Sequence, residues 1–247
     1  MIAVGVLGAR GRMGSAVCAA VAEAPDMMLA AQIGSDDDRS PLAAADVAVD
    51  FTRPDAVMDN LAWCIEHGVS AVVGTSGITQ SRLASLSDMI ADASAGVGVL
   101  VAANFSIGAV LMMRFAAAAA AFYESAEIVE LHHPGKVDAP SGTARRTAEL
   151  MAQARAAAGS SPMPDATTAE VAGARGAAID GVPVHSVRLR GLIAHQEVLL
   201  GGVGETLSIR HVSLDRSSFM PGVLAAIRYV REHPGLTVGL DPALGIG

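Results

Sequence analysis

The apolar run I-A-V-G-V-L at positions 2–7 leads straight into Gly8-Ala9-Arg10-Gly11-Arg12-Met13-Gly14, and then into a helical run from Ser15 to Ala24. This strand, glycine turn and helix constrain the fold more than any other feature. Glycine allows a tight turn and close approach of the backbone to a pyrophosphate, which then rests on the N–H groups at the helix start. The spacing is G-x-x-G-x-x-G, a variant of the usual G-x-G-x-x-G. The same glycines could serve a tight turn without a ligand, but their place between a first strand and a first helix favours a nucleotide.

The alternation continues. Strands are expected at Met28–Ile33, Asp46–Phe51, Ser70–Val73 and Val97–Ala102, with helices at Pro54–His67 and Ser81–Ala93. That grammar predicts an α/β fold, a Rossmann-like doubly wound parallel sheet. Ligands of such sheets bind beyond the carboxyl ends of the strands. Four small or polar clusters fall there: Gly8–Gly14, Thr52 with Arg53, Gly74-Thr75-Ser76-Gly77, and Asn104-Phe105-Ser106. Turns alone would favour the same residues, but one cofactor groove explains all four together. An acidic residue ending the second strand would bind the ribose of NAD. Gly34 stands there, and Asp36-Asp37-Asp38 follow two residues late. These acids can swing in or stay in solvent, and Arg10, Arg12 or Arg39 can hold a 2′-phosphate. Use of NADH, NADPH or both follows.

After a helix at Ile107–Phe122 the grammar changes. Strands are expected at Glu127–His132, Val184–Leu189, His195–Leu200 and Thr206–His211, with one helix at Ser141–Ala156 between the first two. A second α+β domain with a mostly antiparallel mixed sheet is expected over 106–214. The dinucleotide-binding domain covers 1–105 and is completed by 215–247, where a last helix is expected at Ser217–Glu232.

The 247 residues are 51% hydrophobic, enough for a sizeable core, and no apolar run reaches the ~20 residues that span a bilayer. No signal peptide is read at the start, so a cytoplasmic location is expected. The net charge of −8, with no basic stripe, argues against nucleic acid. Cys18 and Cys64 read as buried thiols, and no spacing suggests a metal.

Against this apolar background, ELHHPGKVDAPSGTA at 130–144 concentrates Glu130, His132, His133, Lys136 and Asp138. Ser141 can cap the helix that follows, whose first N–H groups suit a carboxylate. Lys136 adds a positive charge. Adjacent histidines on a strand face opposite ways unless the strand has ended, so one suits proton transfer and the other an anion contact. Lys136 and Asp138 could instead be a plain surface pair. Together the groups point to a nicotinamide-dependent reductase for a small anionic substrate. His67, His185, His195, His211 and His233 carry no catalytic expectation.

The chain resembles the dihydrodipicolinate reductase family over its whole length. The likeness rests on GARGRMG at 8–14, VDFT at 49–52, GTSG at 74–77, AANFSIG at 102–108 and the 130–144 block. It continues through VHSVRLRGLIAHQEV at 184–198 and GETLSIRH at 204–211. It implies hydride transfer from NADH or NADPH to a dihydrodipicolinate ring, giving tetrahydrodipicolinate on the diaminopimelate route to lysine. His132 and Lys136 are then the catalytic proton carriers. His133, Ser141, Gly142 and Thr143 bind the substrate carboxylates. Gly8, Ala9, Arg10, Gly11, Arg12 and Met13 hold the pyrophosphate, and Gly74, Thr75 and Ser76 with Ala102, Ala103, Asn104 and Phe105 line the nicotinamide side. A homotetramer built through the second sheet is also implied. Ser76 and Ala103 depart from the family's frequent Thr and Pro. The alternatives are another reductase of similar build, such as an aspartate or homoserine dehydrogenase, which would lack the HHPGK…SGT block, and a nucleotide-binding sensor, which would not need the proton donors.

Overall fold

In the computed structural model, which describes residues 1–93 and 96–246, the first hundred residues alternate as β1 (Ile2–Leu7), α1 (Arg12–Glu23), β2 (Met27–Ile33), β3 (Val47–Asp50), α2 (Val57–Glu66), β4 (Ser70–Val73), α3 (Gln80–Asp92) and β5 (Gly98–Val101). The strands pair in parallel in the order β5-β4-β3-β1-β2. Every residue of β3, β4 and β5 is buried. A parallel sheet covered by helices on both faces requires such uninterrupted apolar strands.

Helix α1 starts three residues before the expected Ser15. Gly14 reads as a turn residue but is a packing residue inside the helix: a Cβ there would lie 2.1 Å from the Gly8 carbonyl oxygen. The absent side chain lets α1 close onto the turn after β1.

The chain then runs through α4 (Ile107–Ala120), β6 (Ser125–His132), α5 (Gly142–Ala157), β7 (Ala177–Ile179), β8 (Val182–Arg188), β9 (Ala194–Gly202) and β10 (Glu205–Ser213). These strands form a second sheet in the order β10-β9-β6-β8-β7. Only β6 and β8 pair in parallel, so the sheet is mixed and mostly antiparallel, as expected. Its core joins Ile128, Val184, Val198 and Leu200 to Ala144, Ala148 and Met151 of α5.

Strand β7 was not expected from the sequence. Its signal was present in AAI-Asp180-Gly181-VPV. Asp180 and Gly181 take φ of +47° and +83°, the two-residue hairpin turn that an Asp-Gly pair favours.

The last helix is shorter than expected. Residues Arg216–Phe219 form a 3-10 turn, and α6 runs over Met220–Glu232. Pro221 has no N–H to donate to the fourth residue before it, so a regular helix cannot extend back through it. Strand β11 (Gly235–Val238) then pairs in parallel with β5 and becomes the sixth strand of the first sheet. By its contacts the chain divides into one unit of Met1–Ile107 with Arg216–Gly247, and a second of Gly108–Asp215. No helix among the described residues is long and apolar enough to cross a membrane.

Candidate active site

In the first unit the carboxyl ends of β1, β3, β4 and β5 lie along one edge, because the strands are parallel neighbours. Gly8 has φ +77°, and a Cβ there would lie 2.5 Å from the Phe51 carbonyl oxygen. Ala9 is buried, while Arg10, Gly11 and Arg12 are exposed and Met13 is half-buried. Gly11 precedes α1 with no side-chain cap, and the first helical turn carries no acidic residue. Such a bare helix start fits a bound phosphate.

A buried carboxylate ties the next loops together. Asp50, at the end of β3, accepts from the Thr52 N–H at 2.9 Å, the Thr52 hydroxyl at 2.7 Å and the Thr75 hydroxyl at 2.6 Å. Asn60 of α2 donates to its other oxygen at 2.8 Å. This bonding fixes the Gly74-Thr75-Ser76 loop beside β3. A Cβ on Gly74 would fall 2.1 Å from the Phe51 ring. Phe51 meets Phe105 edge-on at 5.7 Å, joining the 102–105 segment to the same edge. There Ala102 and Phe105 are buried, Asn104 is half-buried, and Ala103 and Ser76 are exposed.

The end of β2 is not as bare as Gly34 suggests. Asp37 folds back, accepting the Gly34 N–H at 2.8 Å and pairing with Arg10 at 2.8 and 2.9 Å. The Gly34 bond does most to hold its carboxyl below the usual range; burial pushes it up, and Arg10 brings it down further. Arg39 is turned to α2 instead, donating to the Asp59 carbonyl and Asn60. Of the open choices, then, an acid swings in, and Arg39 is already engaged.

In the second unit β6 carries Glu130 and His132 two residues apart, so both side chains leave one face of the strand. Strand β6 ends at His132, so His133 lies beyond it and is not bound by strand alternation. Glu130 is fully buried. One of its oxygens accepts from His132 Nδ1 at 2.5 Å and Arg188 Nη1 at 2.9 Å. The other accepts from Arg188 Nη2 at 2.8 Å and the Ser141 N–H at 3.2 Å. Burial alone would raise its pKa; hydrogen bonds from His132, Arg188 and Ser186 win and hold it down to about 2. The bidentate Arg188 pair is the strong form of such contacts.

Ser141 is buried and caps α5, accepting the Ala144 N–H at 3.2 Å. A Cβ on Gly142 would meet nothing within 4 Å, so open space lies before the helix start. Thr143 is half-buried in the first turn. Lys136 Nζ lies 2.7 Å from Asp138 Oδ1. Burial pushes the Asp138 carboxyl up, but bonds from Lys136, its own backbone N–H and that of Gly142 bring it below its ordinary value. Asp138 thus engages the two kinds of donor, an ammonium and a helix-start N–H, that would receive a substrate carboxylate.

Two sequence families match the chain, described as "Dihydrodipicolinate reductase, N-terminus" over residues 2–105 and "Dihydrodipicolinate reductase, C-terminus" over residues 108–244. The chain belongs to the dihydrodipicolinate reductase family. A 4-hydroxy-tetrahydrodipicolinate reductase of Cutibacterium acnes is 62% identical over 100% of both chains. One from Streptomyces coelicolor is 61% identical over 98% of each. The solved structure of a dipicolinate-bound dihydrodipicolinate reductase from Paenisporosarcina sp. TG-14 is 38% identical, with a TM-score of 0.86 over 98% of this chain and 99% of that one.

Within this dihydrodipicolinate reductase fold, sequence reasoning named His132 but missed Arg188. The two stand side by side because β6 and β8 pair in parallel with His132 opposite Arg188. Nothing in the local pattern of VHSVRLR marks one arginine over the other. His195, on β9 opposite Leu131, is buried with Nδ1 lacking a hydrogen-bond partner. Burial first, then Arg210 and His132, lower its pKa. His67 and His233 close helices, stacked on Trp63 and Tyr229.

Proposed function

We propose that this chain is a 4-hydroxy-tetrahydrodipicolinate reductase, reducing the dihydrodipicolinate ring with NADH or NADPH on the diaminopimelate route to lysine. One observation carries the reading. A histidine with its Nδ1 committed to a buried carboxylate stands beside a serine-capped helix start and a lysine, the set that a dicarboxylate needing one proton requires. The dipicolinate-bound relative supports a planar dicarboxylate as the ligand.

The first unit is the dinucleotide-binding domain, with Gly8 to Met13 at the pyrophosphate. The Gly8 cradle and the uncapped α1 start fit that group. Gly74 to Ser76 and Ala102 to Phe105 line its nicotinamide end. A reduced nicotinamide, when bound, supplies the hydride. The second unit is the substrate domain: His133, Ser141, Gly142 and Thr143 hold the carboxylates, while His132 and Lys136 deliver the proton that completes the reduced ring. The chain works in the cytoplasm as a homotetramer. Leu199 of β9 and Val212 of β10, each 39% exposed, lie on one face of the second sheet and leave apolar surface for that assembly.

The test is a coupled assay following NADH and NADPH oxidation with freshly generated substrate. Turnover with either cofactor is the expected result. Calorimetry with dipicolinate should show binding that tightens when reduced cofactor is present. No turnover with either cofactor, or no dipicolinate binding at all, overturns the reading.

A further inference from the structure

We infer that Glu130 and Arg188 form a positioning couple that sets the tautomer of His132 and ties it to the substrate-binding helix start. The inference rests on the proposed role of His132 as the proton carrier and adds the groups that make it one.

The geometry is specific. An ionised carboxylate only accepts, so His132 Nδ1 at 2.5 Å must donate. With Nδ1 committed as N–H, the neutral ring has its lone pair at Nε2 and takes up its second proton there. In the protonated ring the Nε2–H bond can break with its electron pair staying on nitrogen. The proton passes to the enamine left by hydride addition, and the neutral ring keeps Nδ1–H against Glu130. His132 is 13% exposed by its side chain, so solvent can return the proton.

Arg188 gives the couple its second function. Its two nitrogens each bond a different Glu130 oxygen, and Nη2 also bonds the Asp138 carbonyl at 2.6 Å. Glu130 therefore cannot rotate to leave His132 without breaking the fork. The Glu130 oxygen that does not face His132 also accepts the Ser141 N–H. One carboxylate thus orients both the proton carrier and the first residue of the carboxylate site. A plain structural ion pair would need only Arg188; the bonds to His132 and Ser141 are what a positioning role adds.

The experiment uses full-length protein labelled with ¹⁵N-histidine, the His132 resonances being assigned from a His132→Gln variant. In the neutral ring, His132 is expected as the Nδ1–H tautomer, the minor form for a free histidine. Glu130→Gln should lose that preference and lower kcat about 100-fold, with a smaller change in KM. Arg188→Lys keeps the charge but cannot bridge both oxygens; it should keep the tautomer and lower kcat about tenfold. A wild-type ring found as Nε2–H overturns the proposal. So does a folded Glu130→Gln protein with kcat within about threefold of wild type, or with its tautomer unchanged. If Glu130→Gln does not fold, the wild-type tautomer and Arg188→Lys decide. Absence of turnover in the wild type would count against the reductase reading, while the tautomer would still read the couple.

Discussion

Lys136 and Glu130 lie six residues apart and take opposite positions in the energetics. The Lys136 side chain is 22% exposed and pairs with an Asp138 that is half exposed. Such a pair adds at most about 1 kcal/mol. Lys136→Ala should therefore keep its melting temperature within a few degrees while kcat falls about 100-fold, the usual scale for losing a positioned proton donor. Near wild-type turnover would remove Lys136 from the chemistry. Glu130 is fully buried, and deleting one partner of such a pair costs about 3–5 kcal/mol by leaving a buried charge alone. Its carboxyl is lowered from 4.5 to about 2 in the folded protein, equivalent to about 3 kcal/mol. A lowered acid contributes stability above its unfolded value and loses it as pH falls through the folded value. The stability gap between wild type and Glu130→Gln should thus shrink as pH drops from about 4.5 toward 2. Urea melts across that range check it; a gap that stays constant would show that the carboxylate is not held low.

At the scale of elements, three short segments make distinct predictions. The α1 start depends on contact: a Cβ on Gly14 meets backbone at 2.1 Å. Gly14→Ala must push α1 off the β1 turn, so nucleotide binding and melting temperature should fall together. The α5 start depends on space: Gly142 has none of these contacts and no positive φ. Gly142→Ala should melt like wild type yet raise KM about tenfold, because the methyl enters the proposed carboxylate site. An unchanged KM would place the carboxylates elsewhere. The loop after β2 is the proposed place of cofactor choice. Asp37 partly neutralises Arg10 where a 2′-phosphate would bind, so the two cofactors should differ in kcat/KM by less than ~100-fold. Asp37→Ala frees Arg10 and should shift the ratio toward NADPH. Adding an acid at Gly34 is not a simple way to favour NADH, because a Cβ there would lie 2.8 Å from Arg10 and 3.2 Å from Asp37. Measuring kcat/KM with both cofactors for wild type and Asp37→Ala tests this; an unchanged ratio would move the ribose site away from Asp37.

For the whole molecule, Leu199 of β9 and Val212 of β10, exposed on one face of the second sheet, argue for assembly through it. Light scattering should give the mass of four chains, and Leu199→Glu should yield smaller species; a wild-type monomer would refute the proposed tetramer. The fold class was legible because its signals are local. Glycine turns, buried apolar strands and a serine cap act over a few residues, and the alternation of elements restricts the sheet to few topologies. The same locality made Gly8, Thr75, His132, Lys136 and Ser141 visible as candidates. β7 was legible too, through its Asp-Gly turn, but a three-residue strand gives little periodicity to notice. The sequence by itself determined which residue types stood at which strand ends and helix starts. Only the tertiary structure decided that Arg188, 58 residues from Glu130, closes on the carboxylate that holds His132, and that Asp37 folds back onto Gly34 and Arg10. Those choices depend on the register of β6 against β8 and on the path of a loop. Register comes from the packing of whole sheets, and no short stretch of sequence contains that energy.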